Sequence, residues 1–136
     1  MYRQILIPTD GSELAHKGVV HGLSLAKAVG AKVIALTVEA FNPYDASESR
    51  MKEAREHAAS ILNEIAKEAK TAGVECETLQ LIQHDPEVAI VATAKEKGCD
   101  LIVIASHGRS GIAAALLGSV TAKVLVHTAI PVLVCH

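Results

Sequence analysis

Short apolar runs, four to seven residues long, alternate along this chain with longer stretches whose apolar positions recur at helical spacing. Few architectures accommodate that pattern. An all-β chain lacks the helical stretches, a helix bundle lacks the short runs, and an α/β layering needs both. Five strands are expected. Residues 5–8, 32–38, 101–105 and 131–134 are rich in Ile and Val and apolar on both faces, as strands covered by helices on each side must be, and parallel pairing follows. Residues 75–82 mix charge with Cys76, Leu79 and Leu81, which suits an edge open to water.

Between these runs, residues 13–29 place Ala15, Val19, Leu23 and Ala26 on one helical face, and residues 49–70 do the same with Met51, Ala54, Ala58, Ile61 and Ile65. Both read as crossover helices. Asp85-Pro86-Glu87 opens a third helix with a capping side chain, a proline in the first turn and an acid at the positive end of the dipole, and Gly98 ends it. A fourth runs from Ser119 to about His127. The charged face of the second helix, with Lys52, Glu53, Arg55 and Glu56, reads as a solvated surface. Phe41 to Ser47, with Asn42-Pro43, is the one long connection, expected to be mobile. There is no internal repeat. Right-handed crossovers then favour an open five-stranded parallel sheet, order 3-2-1-4-5, with helices on both faces.

With 136 residues and 50% of them hydrophobic, the chain is expected to form one domain over residues 1–136 and to bury roughly two-thirds of its unfolded surface. Thirteen basic side chains are interspersed among fifteen acidic ones, leaving no basic stripe for a nucleic-acid backbone. Cys76, Cys99 and Cys135 match neither a zinc ribbon nor a disulfide framework, and the histidines show no metal-ligating spacing. No run approaches the ~18 apolar residues of a membrane span. A cytoplasmic protein without metal, nucleic acid or membrane partner is the expectation.

In a sheet of order 3-2-1-4-5 the winding reverses between strands 1 and 4, and ligands bind at the carboxyl ends of the strands that flank such a reversal. This singles out Pro8-Thr9-Asp10 and Ala105-Ser106-His107-Gly108. After strand 4 come Arg109, Ser110 and Gly111, and Gly118-Ser119-Val120-Thr121 opens the last helix. Glycine backbone, hydroxyls and a helix N-terminus together make an anion site. Gly108, Gly111 and Gly118 would supply amides, Ser119 and Thr121 hydroxyl donors, and Arg109 charge. The same residues also serve as plain fold punctuation: Gly108 ends a strand, Gly118 makes a turn, Ser119 caps a helix. Neither a Walker A motif nor GxGxxG occurs.

These residues resemble the universal stress proteins, whose nucleotide-binding members carry Gly, two residues, Gly, nine residues, then Gly-Ser or Gly-Thr. Gly108 and Gly118-Ser119 match that spacing, and Ala105 stands where the pattern has its first glycine. The opening Ile5-Leu6-Ile7-Pro8-Thr9-Asp10-Gly11-Ser12, the run from Val33 to Val38 and the ending Pro131-Val132-Leu133-Val134 extend the resemblance over the whole chain. It implies an adenine nucleotide, ATP or AMP, with or without Mg2+. The adenine would lie at Pro8, Asp10 and the Val38 backbone, with Thr9 alongside. Ribose and phosphates would meet Ala105 through Gly111 and Gly118 through Thr121. It also implies a stress-response homodimer that pairs strands from Pro131 to Cys135.

Asp10 has a second reading, since with Glu13 three positions on it resembles a capping box. Two other functions fit the same chain. One is a slow ATPase or a phosphoryl or adenylyl transferase. Efficient catalysis is not expected, because Asp10 is the only acid near the site and no lysine clamps a phosphate. The other is a dimer of the same fold that binds no nucleotide.

Overall fold

The computed structural model describes residues 1–40, 43–45, 47–108 and 117–136. Five parallel strands, β1 (Gln4–Pro8), β2 (Lys32–Ala40), β3 (Cys76–Gln83), β4 (Leu101–Ala105) and β5 (Val132–Cys135), form one sheet in the order β3-β2-β1-β4-β5. This is the expected α/β sheet of order 3-2-1-4-5. Its helices are α1 (Glu13–Val29), α2 (Glu48–Ala72), α3 (Pro86–Glu96) and α4 (Ser119–His127).

Strand alternation divides the core between the two faces. Ile5, Ile7, Val33, Ala35, Leu101 and Val103 pack with Val19 and Leu23 of α1 and Leu62 and Ile65 of α2. Leu6, Ile34, Leu36, Ile102 and Ile104 pack with Ile90 and Ala94 of α3 and Val124 of α4. Every strand position from Leu101 to Ala105 is buried, as near-continuous apolar runs in a covered parallel sheet require. β3 lies at one edge with Glu77 and Thr78 exposed, which matches its mixed composition.

The structure corrects four local expectations. β5 is not covered on both faces: it forms the other edge, and Leu133 is 42% exposed. It also starts at Val132, although the Pro131 carbonyl still accepts from the Ile102 amide at 2.9 Å. Asp85 is the N-cap of α3 by position, but its side chain makes no capping hydrogen bond. Asp10 does not cap α1 either; Ser12 does, accepting from the Ala15 amide at 3.1 Å. The expected stop at Gly98 holds, with Gly98 at positive φ just past the α3 C-cap Lys97, and the structure adds Gly30 and Gly73 as positive-φ C-caps of α1 and α2. In the connection after β2, Pro43–Asp45 forms a 3-10 turn, while Phe41, Asn42 and Ala46 lie outside the described residues. No helix among the described residues is long and apolar enough to cross a membrane.

Candidate functional site

Because α1 and α2 cover one face while α3 and α4 cover the other, the chain leaves β1 and β4 toward opposite sides. A crevice opens between the two departing loops, as such a reversal dictates. It holds a cavity of about 340 Å³, large enough for a nucleotide-sized ligand.

The β1 side is a compact double turn. The Thr9 amide extends the ladder to the Leu36 carbonyl at 2.9 Å. Thr9 Oγ1 accepts from the Gly11 amide at 3.1 Å and Asp10 Oδ1 from the Ser12 amide at 2.9 Å. Gly11 makes the bend at φ +79°, a region that side-chain-bearing residues enter only at a cost. Pro8, Thr9 and Asp10 all line the cavity, and Ala15 of α1 joins them.

Across the crevice, the end of β4 and the start of α4 are stitched together. The Gly118 amide donates to the Ser106 carbonyl at 2.6 Å, and Thr121 Oγ1 donates to the Ala105 carbonyl at 2.8 Å. These bonds revise the expected donor set. Gly118 lends its amide, and Thr121 its hydroxyl proton, to the scaffold. Gly118 is also not there for unusual torsions, since its φ is −69°. It is there for space: a Cβ would stand 3.1 Å from the Ser106 carbonyl oxygen.

What α4 offers the cavity is its first turn. Ser119, Val120 and Thr121 line the cavity, and the first backbone bond of the helix runs from the Ala122 amide to the Gly118 carbonyl at 3.0 Å. The three preceding amides have no intrahelical acceptor, and the helix dipole adds about half a positive charge there. No side chain caps this end.

His107 and Gly108 also line the cavity. Gly108 lies against Asp10, whose Oδ2 would be 2.5 Å from a Cβ at that position, so the two loops meet there with no room for a side chain. Ser106 is 7% exposed and sits behind the cavity, its Oγ 3.1 Å from His107 Nδ1 and its amide donating to the Cys135 carbonyl at 2.7 Å. Arg109, Ser110 and Gly111 lie outside the described residues. Val38 lines the cavity with Leu36, Thr37 and Glu39 of the same strand.

Sequence reasoning missed Ala15, Leu36, Thr37, Glu39, Pro86, Ile90 and Ile104, all of which line the cavity. Alternation could have found two of them. Leu36, Val38 and Ile104 share the α3/α4 face near the carboxyl ends of their strands, so naming Val38 implied the others. Thr37 is 1% exposed, and its hydroxyl is the one buried side-chain polar atom among the described residues without a hydrogen-bond partner.

No group of His, Cys, Asp and Glu able to hold a metal occurs among the described residues. The cysteines are free, and burial pushes all three thiols up, Cys99 to about 11, which leaves none as an activated nucleophile. Cys135 points into the core with α1 and α2 instead of to the open edge of β5.

A family model described as the universal stress protein family matches residues 1–136. Universal stress protein MJ0531 of Methanocaldococcus jannaschii is 33% identical over 98% of this chain and 82% of its own length. Universal stress protein YxiE of Bacillus subtilis is 31% identical over 98% of this chain and 99% of its own. Among solved structures, protein MJ0577 of M. jannaschii superposes with a TM-score of 0.86 at 32% identity, covering 99% of this chain and 96% of that one. A universal stress protein solved in complex with cAMP superposes with a TM-score of 0.75 at 32% identity, covering 99% and 97%.

Proposed function

The chain belongs to the universal stress protein family, and from that premise we propose that it binds an adenine nucleotide in the crevice between β1 and β4, as a homodimeric cytoplasmic regulatory module. The observation that carries this reading is the first turn of α4, whose residues Ser119, Val120 and Thr121, with backbone amides that lack intrahelical acceptors, line the 340 Å³ cavity. The phosphate lies there, with Gly108 at its side. The adenine lies at the β2 end, against Pro8, Asp10 and the main chain of Val38. The complex of a 32% identical relative with cAMP supports a nucleotide of this class. ATP and AMP remain the ligands that the resemblance to this family implies. Residues 1–136 act as one domain of this family, and nucleic acid and membranes are not its partners.

A dimer that binds no nucleotide is the second reading. It is favoured by Ala105 in place of the motif's first glycine and by the internal use of the Gly118 amide and the Thr121 hydroxyl. Isothermal titration of ligand-free protein with ATP, AMP and cAMP separates the two. Binding with a dissociation constant below about 1 mM, worth about 4 kcal/mol, is expected for at least one of them. No heat of binding for any nucleotide at millimolar concentration contradicts the proposal and leaves the second reading standing.

A further inference from the structure

Gly18 lies on the buried side of α1, across the sheet from α3 and α4. A Cβ there would stand 2.9 Å from the Ala105 amide nitrogen, 3.4 Å from the Ile104 carbonyl carbon and 3.6 Å from the Ile104 Cα. All three are backbone atoms, so no rotamer change relieves the contact. The helix rests on the strand with no side chain between them.

That point of contact joins the two walls of the crevice. α1 continues from the turn that carries Asp10, through the Asp10 to Ser12 and Ser12 to Ala15 bonds. β4 continues into the other wall, because the Ala105 and Ser106 carbonyls hold Thr121 and Gly118. The walls meet where Asp10 Oδ2 lies against Gly108. We propose that Gly18 is a positioning residue, which sets the width of the nucleotide crevice by letting α1 seat directly on the β4 backbone. The proposal deepens the nucleotide-binding reading and rests on it.

Gly22, one turn further along α1, supplies the control. A Cβ there would meet side-chain atoms, Cδ1 and Cγ1 of Ile7 and Cβ of Val103, and neither residue lines the cavity. Repacking of Ile7 can absorb the change away from the crevice. Alanine is the better helix former at both positions, so helix propensity does not separate the two variants.

The experiment compares Gly18→Ala and Gly22→Ala by amide spectra of the ligand-free protein and by titration with cAMP and ATP. Gly18→Ala is expected to move the amide resonances of Asp10, His107, Gly108 and Ser119 to Thr121, and to weaken nucleotide binding about tenfold or more, as small misplacements of positioning groups do. Gly22→Ala is expected to leave those amides in place and the affinity within about twofold. Crevice amides unmoved by Gly18→Ala, or moved equally by both variants, overturn the proposal. The spectral arm needs no ligand, so a wild-type chain that binds no nucleotide sinks the binding reading while the spectra still decide on Gly18. Should Gly18→Ala fail to fold, the wild type decides: saturating nucleotide is expected to shift the Gly18 Hα resonances more than those of Gly22. Equal shifts at the two glycines overturn the proposal.

Discussion

At Gly118 a Cβ would stand 3.1 Å from the Ser106 carbonyl oxygen and 3.4 Å from the His107 Cα. Valine adds two methyl groups beyond that, so Gly118→Val pushes the start of α4 away from β4 and displaces the three amides offered to the ligand. A loss of about tenfold or more in nucleotide affinity is expected by titration, with a smaller loss for Ser119→Ala, which leaves the amides in place. Equal losses would point to the hydroxyl instead of the backbone. The sequence singled out Gly118 as an amide donor, whereas its amide is bonded to the Ser106 carbonyl and what the position requires is space. Motif spacing located the residue, whereas the close approach to Ser106 is a tertiary fact. Asp100 shows a residue that no motif flags. Its carboxylate accepts from the Arg3 amide at 2.9 Å and the Gln4 amide at 3.1 Å, tying β4 to the start of β1. Desolvation pushes its pKa up, but those amides outweigh it and hold the group below the ordinary carboxylate value. With the folded-state pKa depressed, the added stability is present above about pH 4 and is lost as pH falls through the lower folded-state value. Asp100→Asn should therefore cost about 1 kcal/mol at pH 7 for a solvent-open pair. Urea unfolding should show that gap closing below about pH 4. A gap that does not change with pH would contradict this assignment.

Elements were easier to read where one physical rule governed them. The extent of α1, residues 13–29, followed from its apolar stripe, and the structure has it at Glu13–Val29. Its cap was misassigned between two acceptors two residues apart, because Asp10 and Ser12 both suit that place by residue type. Only the turn at Gly11 decides between them. β5 was read as covered on both faces because Val132, Leu133 and Val134 are all apolar. A run of that kind fits either a central strand or an edge that another chain covers. In the structure β5 is an edge, and Leu133 and Val126 are 42% and 78% exposed. A homodimer that pairs this edge with its copy, as the family resemblance implies, predicts that Leu133→Lys yields a folded monomer. Sedimentation at micromolar concentration measures it. A wild-type monomer, or a dimer indifferent to Leu133→Lys, contradicts that pairing.

At the scale of the whole molecule, strand order was legible because right-handed crossovers leave few ways to wind five parallel strands. The order in turn located the crevice before any side chain was placed. What sequence could not supply was the division of labour at the site. Ser106 scaffolds from behind, Thr121 is bonded to Ala105, and the first turn of α4 lines the cavity, a partition set by contacts between residues far apart in the chain. The central claim is that those amides hold the phosphate of an adenine nucleotide. Its most direct test is a nitrogen-15 amide spectrum of the ligand-free protein during titration with ATP and cAMP. The account predicts that the resonances of Ser119, Val120 and Thr121, with that of Gly108, shift most and saturate together. Saturable binding that leaves those four amides unmoved, or spectra unchanged at millimolar nucleotide, would contradict it.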